Sequence, residues 1–362
     1  MSSSLSHGAF PEDYREARER FRDAASAAGL DLSTHPIPSA GPNGEGLSID
    51  VAARRVPGAE RALVLTSGVH GVEGPLGSAV QIAMLRDPGL LEASRPLTLA
   101  LVHAVNPYGF AWSRRWNEDN IDLNRSFFAD GAARPEVPEL YRRLTPWLNP
   151  ETPPRRPDLF PLEMLYLVGR HGFTRLKKAL PIGQYEHPKA LFYGGVAPTA
   201  SQRALAEILP AAVGEARSII HLDYHTGLGR RGDYKLLMGA EADPEELTAL
   251  RRRFGPDRIE AAADRSTDTA TSYPARGLLD LWAPSLFPGR SYRVLTAEFG
   301  TSPAIQVFRA LRAENRAHHW GRPDTDHAWA KAALREAFIP RDPAWRDAVL
   351  RRGLQIVRQA AA

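Results

Sequence analysis

Two short stretches combine histidine and carboxylate at spacings that suit a metal ion. In SGVHGVEGP, residues 67–75, His70 and Glu73 stand three positions apart among Gly68, Gly71 and Gly74. A histidine and a carboxylate so placed on a turn can both reach one cation, and the glycines let the turn be tight. In HLDYHTGLG, residues 221–229, His225 stands where an apolar run ends and a Gly-rich turn begins. His70, Glu73 and His225 together offer two imidazoles and one carboxylate with a position left for water, the arrangement of catalytic zinc. The chain has no cysteine, so a metal must be held by histidine, carboxylate or water. His221 and Asp223 are rival ligands, because strand alternation puts both on the face that carries His225. His221 reads as a packed imidazole, and Asp223 as a carboxylate that orients a ligating histidine.

Glu298, in LTAEFGT, is a charged residue at the tip of a buried strand. A carboxylate there is costly unless paired or functional, and it suits a general base that takes a proton from water. NPYGFAWSRRWNEDNIDLNRSF, residues 106–127, carries Arg114, Arg115, Asn124 and Arg125 on a loop marked by Asn106, Pro107 and Gly109. Guanidinium groups grip carboxylates through paired hydrogen bonds and can stabilise an oxyanion.

These residues need a frame. Apolar runs at 61–67, 97–103, 217–223 and 292–297 have the character of buried parallel strands, and 47–55 reads as a further strand. Helical periodicity covers 11–28, 75–86, 137–148, 159–180, 200–213, 244–254, 302–317, 326–337 and 343–359. The alternation predicts an α/β three-layer sandwich with a mixed, largely parallel sheet, with the site beyond the carboxyl ends of its strands. The Pro-rich stretch 146–161 reads as a surface loop rather than a linker, because the motifs lie on both sides of it.

HGVE, the NP-Gly…RxN…DLNR segment, a histidine after an apolar strand and Glu in EFG occur here in the order seen in the zinc carboxypeptidase family and its deacylase relatives, which the chain resembles. HGVEGPLGS, GQYEHPKALFYGGVAPT and DYHTGLG look more narrowly like a bacterial branch known mainly as a domain of unknown function. The resemblance covers about residues 45–305. It implies a single zinc ion on His70, Glu73 and His225, with Glu298 as general acid/base. It implies Arg115 polarising the scissile carbonyl and Asn124 with Arg125 gripping a terminal carboxylate. The family's tyrosine on a mobile loop has no clear motif here; Tyr273 lies in the right interval but reads as a loop aromatic. A long insertion at about 130–200 has no counterpart in the simplest carboxypeptidases. Within it, Tyr185, Glu186, His187 and Tyr193 could border the pocket. His103 and the pair His318–His319 read as structural or exposed.

The 362 residues, 43% hydrophobic and 24% charged, suit one zinc-hydrolase domain with a sizeable core and helices at about 302–362. The net charge of +4 comes with no basic block interleaved with aromatics, so nucleic acid is not an expected partner. No apolar stretch approaches the ~20 residues of a membrane span. MSSSLSHGAFPEDYREARERF lacks the pattern of a secretory leader, which favours the cytoplasm. The expected activity is hydrolysis of an amide beside a free carboxylate, in a small peptide or an N-acyl amino acid. Esterase or lactonase action, or a catalytically silent binding protein, are the alternatives. Oligomeric state is not legible.

Overall fold

The computed structural model describes residues 8–266 and 270–362; residues 1–7, the start of the stretch read for a leader, lie outside them. Eight strands form one sheet: β1 (Asp31–Ala40), β2 (Gly46–Arg54), β3 (Arg61–Ser67), β4 (Thr98–His103), β5 (Ser218–Arg231), β6 (Tyr234–Leu237), β7 (Ile259–Glu260) and β8 (Ser291–Gly300). Their spatial order is β1-β2-β4-β3-β5-β8-β6-β7. The centre, β4-β3-β5-β8, is parallel throughout, whereas β1, β2 and the β6/β8 contact add antiparallel pairs towards the edges. The sheet is therefore mixed and largely parallel, as expected.

The central strands are buried on both faces, and alternation sorts their side chains into two cores. Leu63, Leu65, Leu99, Leu101, Leu222 and Leu295 pack with the helices Gly74–Leu85 and Pro343–Ala361. Ala62, Val64, Ala100, Val102, Ile219 and Val294 pack on the other side with the helix Ala200–Val213. That gives helix, sheet and helix, the three layers anticipated.

Three strands were not legible. β1 contains Pro36 and Pro38, which mask a strand pattern but are tolerated at a sheet edge, where one row of N–H groups has no partner. β6 and β7 span four and two residues, too short for a period to show. The helix expected over 159–180 is two helices, Phe160–His171 and Phe173–Ala179, because Gly172 between them has φ of 80°. Among the described residues no helix is long and apolar enough to cross a membrane.

Candidate metal centre

His70 follows β3 directly and caps a short 3-10 turn, Gly71–Glu73, that leads into the helix Gly74–Leu85. Gly71 is required there: a Cβ on it would lie 2.0 Å from the Gly109 carbonyl carbon. That approach lets two loops lock together. Gly71 N–H and Val72 N–H donate to the carbonyls of Arg115 and Arg114 at 3.3 and 2.7 Å. Asn106 ties off the same loop, accepting from Gly109 N–H at 2.8 Å and donating to the Arg115 carbonyl at 3.2 Å. Arg115 is thus positioned from the turn that carries the histidine.

β5 is longer than expected and continues to Arg231, so His225 sits inside a strand rather than on a turn. The parallel pairing of β5 and β8 sets His225 directly opposite Glu298. This register, not a loop, brings the fourth residue to the other three.

His70, Glu73 and His225 converge with one ligand atom from each within 4.8 Å of the others. His70 Nδ1 lies 2.9 Å from Glu73 Oε1, and His225 Nδ1 lies 3.2 Å from Glu73 Oε2. The two Nδ1 atoms are 3.1 Å apart. Each imidazole is held at its far nitrogen by a carboxylate: Asp122 Oδ1 at 3.1 Å from His70 Nε2, and Asp223 Oδ2 at 2.6 Å from His225 Nε2. Such outer carboxylates orient a ligating ring and raise its basicity. Thr226 N–H donates to Glu73 Oε2 at 2.9 Å, fixing the third donor. Two imidazoles, one carboxylate and no thiol fit zinc, and the Nδ1 atoms of both rings face Glu73.

Burial alone would raise the Glu73 carboxyl, but His70 and His225 hold it below the usual carboxylate range. Asp122 is likewise held down against burial, by Arg115, His70 and Arg125. Glu298 goes the other way: burial, then the charge of Glu73, raises it. Its Oε1 accepts from Leu228 N–H at 2.9 Å. A carboxyl that is uneasy as an anion is suited to accept a proton.

His221 does not join the cluster. Its Nε2 lies 2.9 Å from Thr66 Oγ1 and its Nδ1 3.0 Å from the Tyr292 hydroxyl. Thr66 donates to Asp223 Oδ1 at 2.6 Å. Since that hydroxyl has one proton, His221 donates through Nε2 and accepts from Tyr292 through Nδ1.

Arg115 Nε donates to Asp122 Oδ2 at 2.9 Å and Nη1 to Glu73 Oε1 at 3.3 Å, with Nη2 2.7 Å from His70 Nε2. Arg125 donates to Pro181 O at 2.8 Å, Asn124 O at 2.6 Å and the Tyr273 hydroxyl at 2.8 Å. Those bonds use three of its five N–H groups and fix its plane. Asn124 Oδ1 accepts from Leu279 N–H at 2.9 Å, which leaves its amide nitrogen as the free donor end. His70, Glu73, Arg115, Asn124, Arg125, His225 and Glu298 line one cleft of about 960 Å³.

Tyr273, read from sequence as a loop aromatic, is on that cleft wall with its ring 5.6 Å from the Arg125 guanidinium carbon. Tyr185 and Tyr193 are not on the wall. The segment carrying them folds back through a bridge between Gln184 and Tyr193, so they brace the Asn124–Arg125 loop from behind. Tyr185 donates to the Arg125 carbonyl at 3.1 Å, and the Tyr193 carbonyl accepts from Asp122 N–H at 2.7 Å. Glu186 pairs with Arg142 at 2.6 Å, away from the cleft, and His187 is outside the lining too. Phe192 is the residue of that segment that reaches the cleft. Asp122 was missed; its signal is a carboxylate between the apolar Ile121 and Leu123. His103 is fully buried against Phe21, with ring centroids 4.6 Å apart.

Comparison with solved structures finds several that are similar to this chain. Bovine thrombin-activatable fibrinolysis inhibitor, solved in complex with tick carboxypeptidase inhibitor, superposes with a TM-score of 0.52 at 12% identity, covering 99% of this chain and 98% of that one. The murein-tripeptide amidase MpaA of Escherichia coli O157 is 16% identical, with a TM-score of 0.40 over 82% of this chain and 95% of that one. An aspartoacylase family protein of Mesorhizobium loti is 15% identical, with a TM-score of 0.38 over 81% and 67%. No curated protein matches the chain in sequence. The fold is carboxypeptidase-like, as the motifs suggested. Residues 10–352 match the family described as "Protein of unknown function (DUF2817)", and the chain belongs to that family.

Proposed function

We propose that this protein is a zinc-dependent hydrolase of an amide bond next to a free carboxylate. The observation that carries the reading is the convergence of His70 Nδ1, Glu73 and His225 Nδ1, with Glu298 on the neighbouring strand. Those three residues would hold a zinc ion, which would supply Lewis acidity towards water and a carbonyl oxygen. Glu298 takes a proton from the attacking water and returns it to the leaving amine. Arg115 donates to the oxygen on which negative charge develops. Arg125 and Asn124 hold the substrate carboxylate and set which bond faces Glu298. Tyr273, hydrogen-bonded to Arg125, keeps that guanidinium in the cleft.

A peptide C-terminus and an N-acyl amino acid both present a carboxylate beside the scissile amide. The carboxypeptidase-like reading rests on the clamp. The second reading, a deacylase, is favoured by the apolar wall of the cleft. The test begins with metal content by mass spectrometry of the purified protein. Turnover of an N-acyl amino acid and of a blocked dipeptide is then followed through chelation and zinc restoration. Activity that survives complete removal of metal would sink the reading.

A further inference from the structure

The cleft lining has two chemically different parts, which meet where Arg125 donates to the Pro181 carbonyl at 2.8 Å. One part consists of the histidines, carboxylates and arginines described above. The other includes Met164 and Val168 of the helix Phe160–His171, Leu176 and Leu180 at the next helix, and Phe308 and Leu311 of the helix Ala304–Trp320. The one basic side chain among them, Lys177, has its ammonium on the Ala270 carbonyl. This helical part of the apolar wall comes from residues 160–180 and from a late helix, while Leu228 and Leu237 add to the lining from the sheet.

These walls are helical, and that decides what they can bind. Helix N–H and C=O groups are bonded within the helix, apart from the ends, so the wall offers no ladder of donors and acceptors. An extended peptide lying there would exchange its water partners for none. A hydrocarbon chain has no such groups to satisfy and gains from every methylene removed from water. The apolar path also continues outward: Leu165 and Phe173 line the mouth while 70% and 59% exposed. A flexible chain longer than the enclosed part could lie along them.

Resting on the amidohydrolase reading, we infer that this cleft takes N-acyl amino acids with a long alkyl chain, the carboxylate end on Arg125 and the chain along the helical wall. In the reaction the water oxygen bonds to the acyl carbon and the amide C–N bond breaks. The amine takes the proton, and a fatty acid and an amino acid leave.

Binding tests this without turnover. N-dodecanoylglycine and N-acetylglycine are titrated calorimetrically into the full-length protein, below the micellar range of the former. The expected result is at least about 100-fold tighter binding of the dodecanoyl compound, roughly a third of the free energy that ten methylenes could contribute. Met164→Glu, at a partly exposed wall position, should weaken that binding tenfold or more and leave N-acetylglycine within twofold. Equal affinities for the two chains, or indifference to Met164→Glu, overturns the inference. Glycine release by the zinc-loaded enzyme separates the two claims. Chain-length-dependent binding with no hydrolysis of any amide keeps the acyl cleft and removes the hydrolase reading. Hydrolysis of acetyl, dodecanoyl and dipeptide substrates with equal kcat/KM keeps the hydrolase and removes the acyl cleft.

Discussion

Asp223 Oδ2 stands 2.6 Å from His225 Nε2, and this contact turns the opposite nitrogen, Nδ1, towards Glu73. Behind Asp223 the hydrogen bonds continue through Thr66 and His221 to Tyr292, every donor having one acceptor. The ring that faces the metal site is therefore aimed from the interior of the sheet. His225→Ala should abolish zinc binding, and Asp223→Ala should weaken it about 10–100-fold, the usual effect of losing an outer carboxylate. His221→Ala should cost much less metal. Thr66→Val leaves Asp223 and His221 short of a partner in the core and should cost about 1–3 kcal/mol of stability. Competition with a graded series of chelators reads the first three, and chemical denaturation reads the last. Loss of metal in His221→Ala with retention in His225→Ala would reverse the ligand assignment.

Glu298→Gln keeps shape and removes the proton acceptor. Fold and bound zinc should be unchanged while kcat falls at least ~10²-fold, the scale of a general base. Near-normal turnover by the zinc-loaded variant would take Glu298 out of the mechanism.

Arg125 and Arg115 should separate kinetically. A charge-assisted pair is worth about 1.5–3 kcal/mol, or roughly one to two orders of magnitude in affinity. Arg125→Ala should raise KM on a free-acid substrate and erase the preference over the same substrate as its C-terminal amide. Arg115→Ala should lower kcat instead, since its contact strengthens as the oxyanion forms. A wild-type enzyme that cleaves acid and amide equally well has no carboxylate clamp.

His103 gives a pH signature remote from the chemistry. Burial pushes its imidazole down to about 4 from 6.5, with only Ser78 Oγ at 3.0 Å beside Nε2. Between these values the unfolded chain binds a proton that the folded chain refuses. Stability should therefore be full above about pH 6.5 and fall as pH drops towards 4, by about 3 kcal/mol from this group. Urea melts across that window should be steeper in pH for wild type than for His103→Gln. Identical pH slopes would show that His103 titrates normally in the folded protein.

Gly71→Ala tests the contact between the two site loops. A methyl group 2.0 Å from the Gly109 carbonyl carbon cannot be housed without moving backbone. A loss of at least ~3 kcal/mol is expected, the scale of severe overpacking. Thermal melting checks it, and a wild-type melt would mean that the loops slide freely.

The placements followed from sequence wherever chemistry was local. His70 and Glu73 are three residues apart, and the apolar runs before His70, His225 and Glu298 belong to the neighbouring strands β3, β5 and β8. What depended on tertiary contact was hidden. Asp122 belongs to the same loop as Arg115, yet only the fold sets its two oxygens between His70 and Arg115. Tyr185 and Tyr193 have the right chemistry for a pocket, but the turn at 184–193 carries both rings behind the loop and leaves Phe192 in front. Tyr273 shows the converse, an unremarkable loop position until Arg125 is beside it.

The cleft is assembled from parts with different structural obligations. His70, His225 and Glu298 are tied to strands whose register cannot slip without dismantling the sheet. The helices Phe160–His171 and Phe173–Ala179 lie outside the sheet, in the long stretch of chain between β4 and β5. On the proposed reading, drift in those helices would remodel the menu of molecules admitted while the proposed reaction stayed constant. Grafting another relative's 150–182 segment onto this chain would be a direct experiment in heredity: one inherited chemistry, a new appetite.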